Sequence, residues 1–381
     1  MWRFSLFTKR WTKLFHEKRH ADILPESLSS PSALLADKTL IVYGGTGYPF
    51  GENCSNDCHI IRPYERTIKK LVTFGEEPDA TYGQSTFLHG LWMYVVGGTD
   101  GLNYNCDVHR LNIFTGEWQV VIRCQPYLET DPAGCYRHGV AFDREHELLY
   151  IIGGGSNSTL QSFELLPMLD LKTGSWTEAR TLSDPFSPDP GIPATRLCHT
   201  MVQYDTDMGP EIVITGGCRG RDIQFNDIWK LNLRTLRWSL FQEAQLPYNL
   251  YFHDAATSGN GLMYVFGGVR ASRDHSISSR INEVYTMWTT IPKLSEIAWQ
   301  AMLYYAPNMP RMKRSLLIKM GIPANFVKRI LQGRDSMCNF PSDCLSYIPK
   351  SPVYGEFNIH DEHNYFASVD LPEALEDDEV Y

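Results

Sequence analysis

Apolar positions along the chain follow two patterns. From Leu40 to Phe266, short apolar runs end in a glycine doublet: "LIVYGG" at Gly45, "YVVGG" at Gly98, "LYIIGG" at Gly154, "IVITGG" at Gly217 and "YVFGG" at Gly268. These runs lack polar/apolar alternation and are too short for helices, so they predict β-strands buried on both faces. The doublets lie 53, 56, 63 and 51 residues apart. After them come half-alternating segments that close on tryptophan: "CDVHRLNIFTGEW" at Trp118, "LPMLDLKTGSW" at Trp176 and "NDIWKLNLRTLRW" at Trp238. These tryptophans stand 20, 22 and 21 residues beyond the second glycine. The outer two copies keep the opening of that segment, "NDCHII" and "NEVYTM", without the final tryptophan. Beyond residue 292 the period changes. Leu294, Ile297, Ala298, Ala301, Met302 and Tyr305 recur at helical spacing, and "RSLLIKMGIPANFVKRIL" predicts two more short helices divided at Gly321-Ile-Pro323.

The glycine-rich stretch "YGGTGYPFG" raises a nucleotide-binding alternative. A dinucleotide fingerprint needs G-x-G-x-x-G opening into a helix. Here Gly51 comes one residue late and Pro49 with "GENCSNDCHII" shows no helical period, so the glycines read as structural. Composition supports a turn-rich β protein, with 12% aromatic residues and 29 glycines. The net charge of −9 resides in the last 28 residues, where nine acids and no bases fall between Tyr354 and Tyr381. The rest is neutral, so no basic field points to nucleic acid. No apolar run reaches membrane-spanning length. The tail, 333–381, is expected to be disordered and acidic. Nine cysteines show no CxxC pair, and Cys54-x3-Cys58 lacks a second ligand pair, so free thiols are expected and no metal or cofactor.

A period near 50 residues, a Gly-Gly after an apolar strand and a tryptophan at a fixed offset together resemble kelch repeats, over residues 37–294. The resemblance implies an all-β fold: a kelch β-propeller with one four-stranded blade per repeat. "FTKRW" at Phe7–Trp11 resembles "FTGEW" at Phe114–Trp118. It suggests a chain opening on the last strand of a blade, hence a six-bladed type with an incomplete N-terminal blade. The alternative is that this strand completes the fifth blade. The expected organisation is 1–36 as partial blade and linker, 37–291 as propeller, 292–332 as helical segment and 333–381 as tail.

In such a propeller the segment entering each innermost strand and the loop after each Gly-Gly share one rim. The entering segments bring Tyr82, Tyr136, Arg137, His138, Arg196, His199, Tyr251, Phe252 and His253. Arginine suits a carboxylate, because its planar fork donates two parallel hydrogen bonds. Converging with the histidines and aromatics on one rim, Arg196 and Arg137 could hold a small anion. The same Arg-x-x-His pattern can instead brace adjacent blades. No acid pair with a nucleophile lies on these loops, and no histidine–tyrosine copper set assembles, so a kelch-fold oxidase is not favoured.

"GTGYPFGENCSND", "YGQS", "YRHG", "RLCHT", "YFHDAA" and "LSEIAWQAML" together resemble the kelch-repeat substrate receptors of cullin-2 RING ubiquitin ligases. That resemblance implies a non-catalytic receptor that reads client C-termini, glycine-ended tails above all, with Arg196 expected to hold the terminal carboxylate, Arg137 and the histidines shaping the pocket and the aromatics packing on the peptide. It implies docking to Elongin B/C and cullin-2 through the C-terminal helices, with Leu294, Ala298 and Met302 facing Elongin. It also implies work in the cytoplasm or nucleus. A kelch scaffold without C-terminus specificity is the competing reading.

Overall fold

The computed structural model describes residues 1–5, 10–15, 24–25, 27–125, 131–132, 134–220, 222–258, 261–270 and 279–338. They group into two compact units: residues up to 20 with those from 290 onward, and residues 21–289. Apart from the end of the last helix, the expected tail lies outside the described residues.

The unit of residues 21–289 contains one antiparallel sheet per repeat. The first holds β3 (Ser32–Ala36), β4 (Thr39–Tyr43), β5 (Cys58–Arg62) and β6 (Thr67–Lys70) in that order. β1 (Trp2–Ser5) and β2 (Arg10–Lys13) belong to the other unit. The second sheet holds β8 (Ser85–His89), β9 (Trp92–Thr99), β10 (Tyr104–Asn112) and β11 (Glu117–Ile122), with the short β7 (Phe74–Gly75) parallel to β11 at its edge. The third runs β12 (Gly139–Asp143), β13 (Leu148–Ile152), β14 (Leu165–Asp170), β15 (Ser175–Arg180). The fourth runs β16 (Thr200–Thr206), β17 (Gly209–Thr215), β20 (Ile228–Asn232), β21 (Arg237–Leu240), with a small ribbon of β18 (Cys218–Arg219) and β19 (Ile223–Gln224) above it. The fifth has β23 (Asp254–Thr257), β24 (Leu262–Phe266) and β27 (Val284–Trp288). Beside it lies a ribbon of β22 (Leu250–Tyr251), β25 (Val269–Arg270) and β26 (Ser279–Arg280). Neighbouring sheets meet through their first strands, β3 with β8, β8 with β12, β12 with β16 and β16 with β23. This is the arrangement of propeller blades around an axis. The first sheet begins at Ser32, ahead of the expected residue 37, because its innermost strand β3 precedes the apolar run that leads into the glycine doublet.

The tryptophans seal the spaces between sheets. Trp118 is 2% exposed and packs with Tyr43, Ile41 and Met93, bridging the first two sheets. Trp176 joins Tyr94, Val96 and Leu149 between the second and third. Trp238 is fully buried between the third and fourth and donates its indole N–H to the Phe163 carbonyl at 3.0 Å. A buried indole finds such a partner because it carries one polar atom on a large apolar body.

β1 and β2 pair with each other, Phe4 opposite Trp11. The same seven-residue step sets Leu111 opposite Trp118, Leu169 opposite Trp176 and Leu231 opposite Trp238. The likeness of "FTKRW" to an outer strand thus extends to the register in which β2 pairs with β1. Among the described residues, however, β2 pairs with β1 and not with a propeller strand.

In the second unit, α1 (Leu294–Tyr305), α2 (Arg314–Lys319) and α3 (Ala324–Cys338) surround a small core of Trp299, Met309, Leu317, Phe326, Val327 and Ile330. Trp299 stacks on Phe326 with centroids 4.5 Å apart. α3 runs past the expected end at 332.

Candidate functional site

The segments entering the innermost strands share a backbone feature. Ser30, Gly83, Arg137, Cys198 and Phe252 occupy one equivalent position per repeat, and all have left-handed backbones, with φ of 51°, 68°, 51°, 57° and 57°. A non-glycine residue there costs about 1–2 kcal/mol, and four of the five are not glycine. The conformation is repaid in hydrogen bonds. The Arg137 N–H donates to the Gly83 carbonyl, Cys198 to Arg137 and Phe252 to Cys198, at 2.9, 3.3 and 3.1 Å. The backbone hands a bond from blade to blade around the axis.

The next position holds Gln84, His138, His199 and His253, and these explain the glycine doublets. A Cβ on Gly217 would lie 2.8 Å from the His199 Cβ, and one on Gly153 of the preceding repeat 2.8 Å from its ring. Gly268 and Gly216 flank His253 in the same way. The doublets are notches for side chains that wedge between blades. Among the described residues neither ring nitrogen of His138 has a hydrogen-bond partner, while His253 Nε2 meets the Thr215 hydroxyl at 2.8 Å. Burial lowers His138 to about 3 and His253 to about 4. Burial lowers His199 to about 3, helped by Arg196 and the other two histidines. All three stay neutral near pH 7, so they brace blades and add no positive charge for an anion.

Arg196 has the same structural character, which corrects the expectation that it grips a carboxylate. It is fully buried. Its guanidinium forms a two-pronged pair with Asp227, the Nη2–Oδ2 contact being 2.9 Å. It also donates to the carbonyls of Gly216 and Ala194, at 3.0 Å each, and stacks 3.9 Å over Phe225. Its charge is neutralised inside the molecule.

Arg137 differs. It is half-buried, and no carboxylate pairs with it among the described residues. Nε donates to the Tyr136 hydroxyl at 2.6 Å and Nη2 reaches Ser30 Oγ at 3.3 Å. Its guanidinium lies 4.1 Å over the Phe252 ring. It therefore draws on the first, third and fifth repeats by side chain and on the second and fourth by backbone. A guanidinium has five N–H donors, so it retains some for a ligand. Tyr82 and Tyr136 are buried beneath it, edge to face at 5.7 Å. The walls are Phe50, Tyr104, Tyr251 and Phe252, all half-buried. Phe50 sits 5.0 Å from Tyr82, and Tyr104 5.5 Å from Tyr136. Tyr82 and Tyr136 thus form the floor and not the peptide-facing wall expected of them. Ser30 escaped the sequence reading, because "LSSPSA" carries no arginine, histidine or aromatic to mark it as an entering segment. Of the loop arginines, Arg219 is exposed, Arg270 lies 4.7 Å over Tyr248, and Arg221 falls outside the described residues.

The expected docking residues divide. Leu294 is 79% exposed, and Ile297, Ala298, Ala301 and Tyr305 are exposed with it. Met302 turns partly inward, with Leu303 and Ala306, onto the core of the helical unit. α1 therefore has two apolar sides, one buried beside Trp299 and one open. Among the described residues no cluster of three or more histidine, cysteine or acidic side chains is placed to hold a metal, and no helix is long and apolar enough to cross a membrane.

The family described as KLHDC2/KLHL20/DRC7 Kelch-repeats domain matches residues 1–129 and 123–304. The chain belongs to the kelch-repeat family. It is 38% identical over 341 residues to the Kelch domain-containing protein 10 homolog of Drosophila melanogaster, covering 87% of this chain and 55% of that protein. It is 34% identical over 332 residues to Kelch domain-containing protein 10 of Homo sapiens, covering 87% of this chain and 70% of that one. Kelch domain-containing protein 3 of Bos taurus is 25% identical over 254 residues, 62% of this chain and 60% of that protein. The chain thus spans little more than half the fly relative and 70% of the human one. The kelch match takes in both the rim and α1.

Proposed function

We propose that this kelch-repeat protein is a substrate-recognition subunit of a cullin-2 RING ubiquitin ligase, with the propeller rim as its client site. The observation that carries the reading is Arg137, a half-buried cation with spare donors and, among the described residues, no acid paired with it. A client's terminal carboxylate pairs with its guanidinium between Phe252 and Tyr104. The aromatic crowding favours glycine at the end, since a residue without Cβ comes closest. The open side of α1, led by Leu294 and Ala298, takes Elongin B/C, and α2 and α3 approach the cullin. The protein itself makes no bond; it raises the local concentration of client.

Arg137→Ala is expected to weaken binding of a glycine-ended peptide by well over tenfold, since removing one partner of a desolvated charge pair costs about 2–5 kcal/mol. Amidating the peptide's C-terminus should do the same to the unmodified protein. Calorimetric titration measures both. Equal affinity for acid and amide peptides would leave the scaffold reading in place of this one. Independently, Leu294→Arg should remove Elongin B/C from an affinity pull-down while the propeller's melting temperature stays unchanged. Retention of Elongin would exclude α1 as the docking helix.

A further inference from the structure

Charge is divided along this chain more sharply than its net value shows. Residues 290–331 carry seven lysines and arginines against the single Glu296. Residues 21–289 carry 20 against 31 acids and are net negative. Residues 354–381, outside the described residues, carry nine acids and no base.

The fold keeps the bases of the helical unit on its outside. Leu317 on α2 and Phe326, Val327 and Ile330 on α3 turn into the core with Trp299. Arg311, Lys313, Arg314, Lys319 and Lys328 are exposed, and no carboxylate pairs with any of them among the described residues. Glu296 is already engaged, accepting two bonds from Arg329 at 2.9 and 3.0 Å. Leu316, Ile318 and Met320 are also exposed. α2 thus presents cations interleaved with apolar side chains.

We infer that the acidic segment 354–381 folds back onto the basic outer side of α2 and the start of α3. The match is of both kinds, because the segment sets Leu371 and Leu375 among Glu373, Glu376, Asp377, Asp378 and Glu379. The tether favours it. Fifteen residues, 339–353, separate α3 from the segment, and a chain of that length spans about 20–23 Å. α3 is itself about 22 Å long at 1.5 Å per residue, so the segment reaches back along the whole helix. An exposed ion pair is weak alone, but a short tether raises the local concentration to about the millimolar range. The negative charge of residues 21–289 repels the segment and leaves the helices as its basic surface. This inference does not depend on the client site. Any partner that approaches α2 and α3 must displace the segment.

The test uses the full chain, a carbodiimide and mass spectrometry. The reagent condenses a lysine amine with a touching carboxylate to an amide and takes up the water released. Links from residues 354–381 to Lys313, Lys319 and Lys328 are expected at least tenfold more often than to the exposed Lys38 and Lys172 of the propeller. They should be independent of protein concentration. They should also fall severalfold between 0.1 and 1 M salt, as the screening length shrinks from about 10 to about 3 Å. In the triple variant Lys313→Glu, Arg314→Glu, Lys319→Glu, links to Lys328 should fall about tenfold. Adding Glu373→Lys, Glu376→Lys and Asp378→Lys should restore linking between the two segments with the charges exchanged. Equal yields at Lys38 and Lys313 overturn the inference. So do links that grow with protein concentration, or links to Lys328 that the triple variant leaves unchanged.

Discussion

Arg196→Ala is expected to destabilise the propeller by about 3 kcal/mol, the low end of the cost of stranding one partner of a buried ion pair, because Asp227 is itself partly exposed. Four separate attachments would go together: the paired bonds to Asp227, the bonds to the Gly216 and Ala194 carbonyls, and the stack on Phe225. The Gly216 carbonyl lies in the glycine doublet that receives His253, so loss of the guanidinium loosens the seam between the fourth and fifth sheets as well as one loop. Chemical denaturation should show a lowered midpoint with an unchanged slope. A variant as stable as the parent would mean that Asp227 finds water, and that the pair contributes little. Arg137→Ala should have the opposite profile, with little change in stability and a large change in tail affinity. The two arginines, indistinguishable by residue type, are separated by these measurements.

Stability is expected to fall steeply below pH 6.5. His138, His199 and His253 have folded-state pKa values of about 3, 3 and 4 against an ordinary value near 6.5. A folded value below the unfolded one means that the unfolded chain binds protons first. The stabilising effect is complete above about pH 6.5 and is lost as the pH falls toward the folded values. At pH 5 each histidine accounts for about 2 kcal/mol at 1.36 kcal/mol per pH unit. Three of them together approach about 6 kcal/mol, a large share of an ordinary domain's 5–15 kcal/mol. Denaturant midpoints measured from pH 7.5 to 4.5 give the curve directly. A flat profile down to pH 5 would show that the three rings accept protons without leaving their notches.

The fold was legible because its signals are local. A strand, its glycine doublet and a tryptophan at a fixed offset lie within about 30 residues of one another, and the register Leu169–Trp176 or Leu231–Trp238 follows from one hairpin. The rim was legible as a set of segments, since "YRHG", "RLCHT" and "YFHD" announce themselves by position. What each side chain does there was not legible. Arg196 and Asp227 are 31 residues apart, and only the arrangement of strands around the axis brings them together. The division of α1 into a buried and an open side was half visible. Helical spacing placed Leu294, Ala298 and Met302 on one stripe, but Trp299 stacked on Phe326 turns the helix so that Met302 leaves that stripe for the interior.

The chain of left-handed residues has a mechanical consequence. Each blade sets the height of the next through a main-chain link at the hub, from Gly83 through Arg137 and Cys198 to Phe252. The Arg137 guanidinium is therefore seated by the neighbouring blades as well as by its own loop, like a keystone whose position each flanking stone determines. A lesion in one blade, far from any client, would tilt the anchor and be felt as lost affinity before it was felt as lost structure.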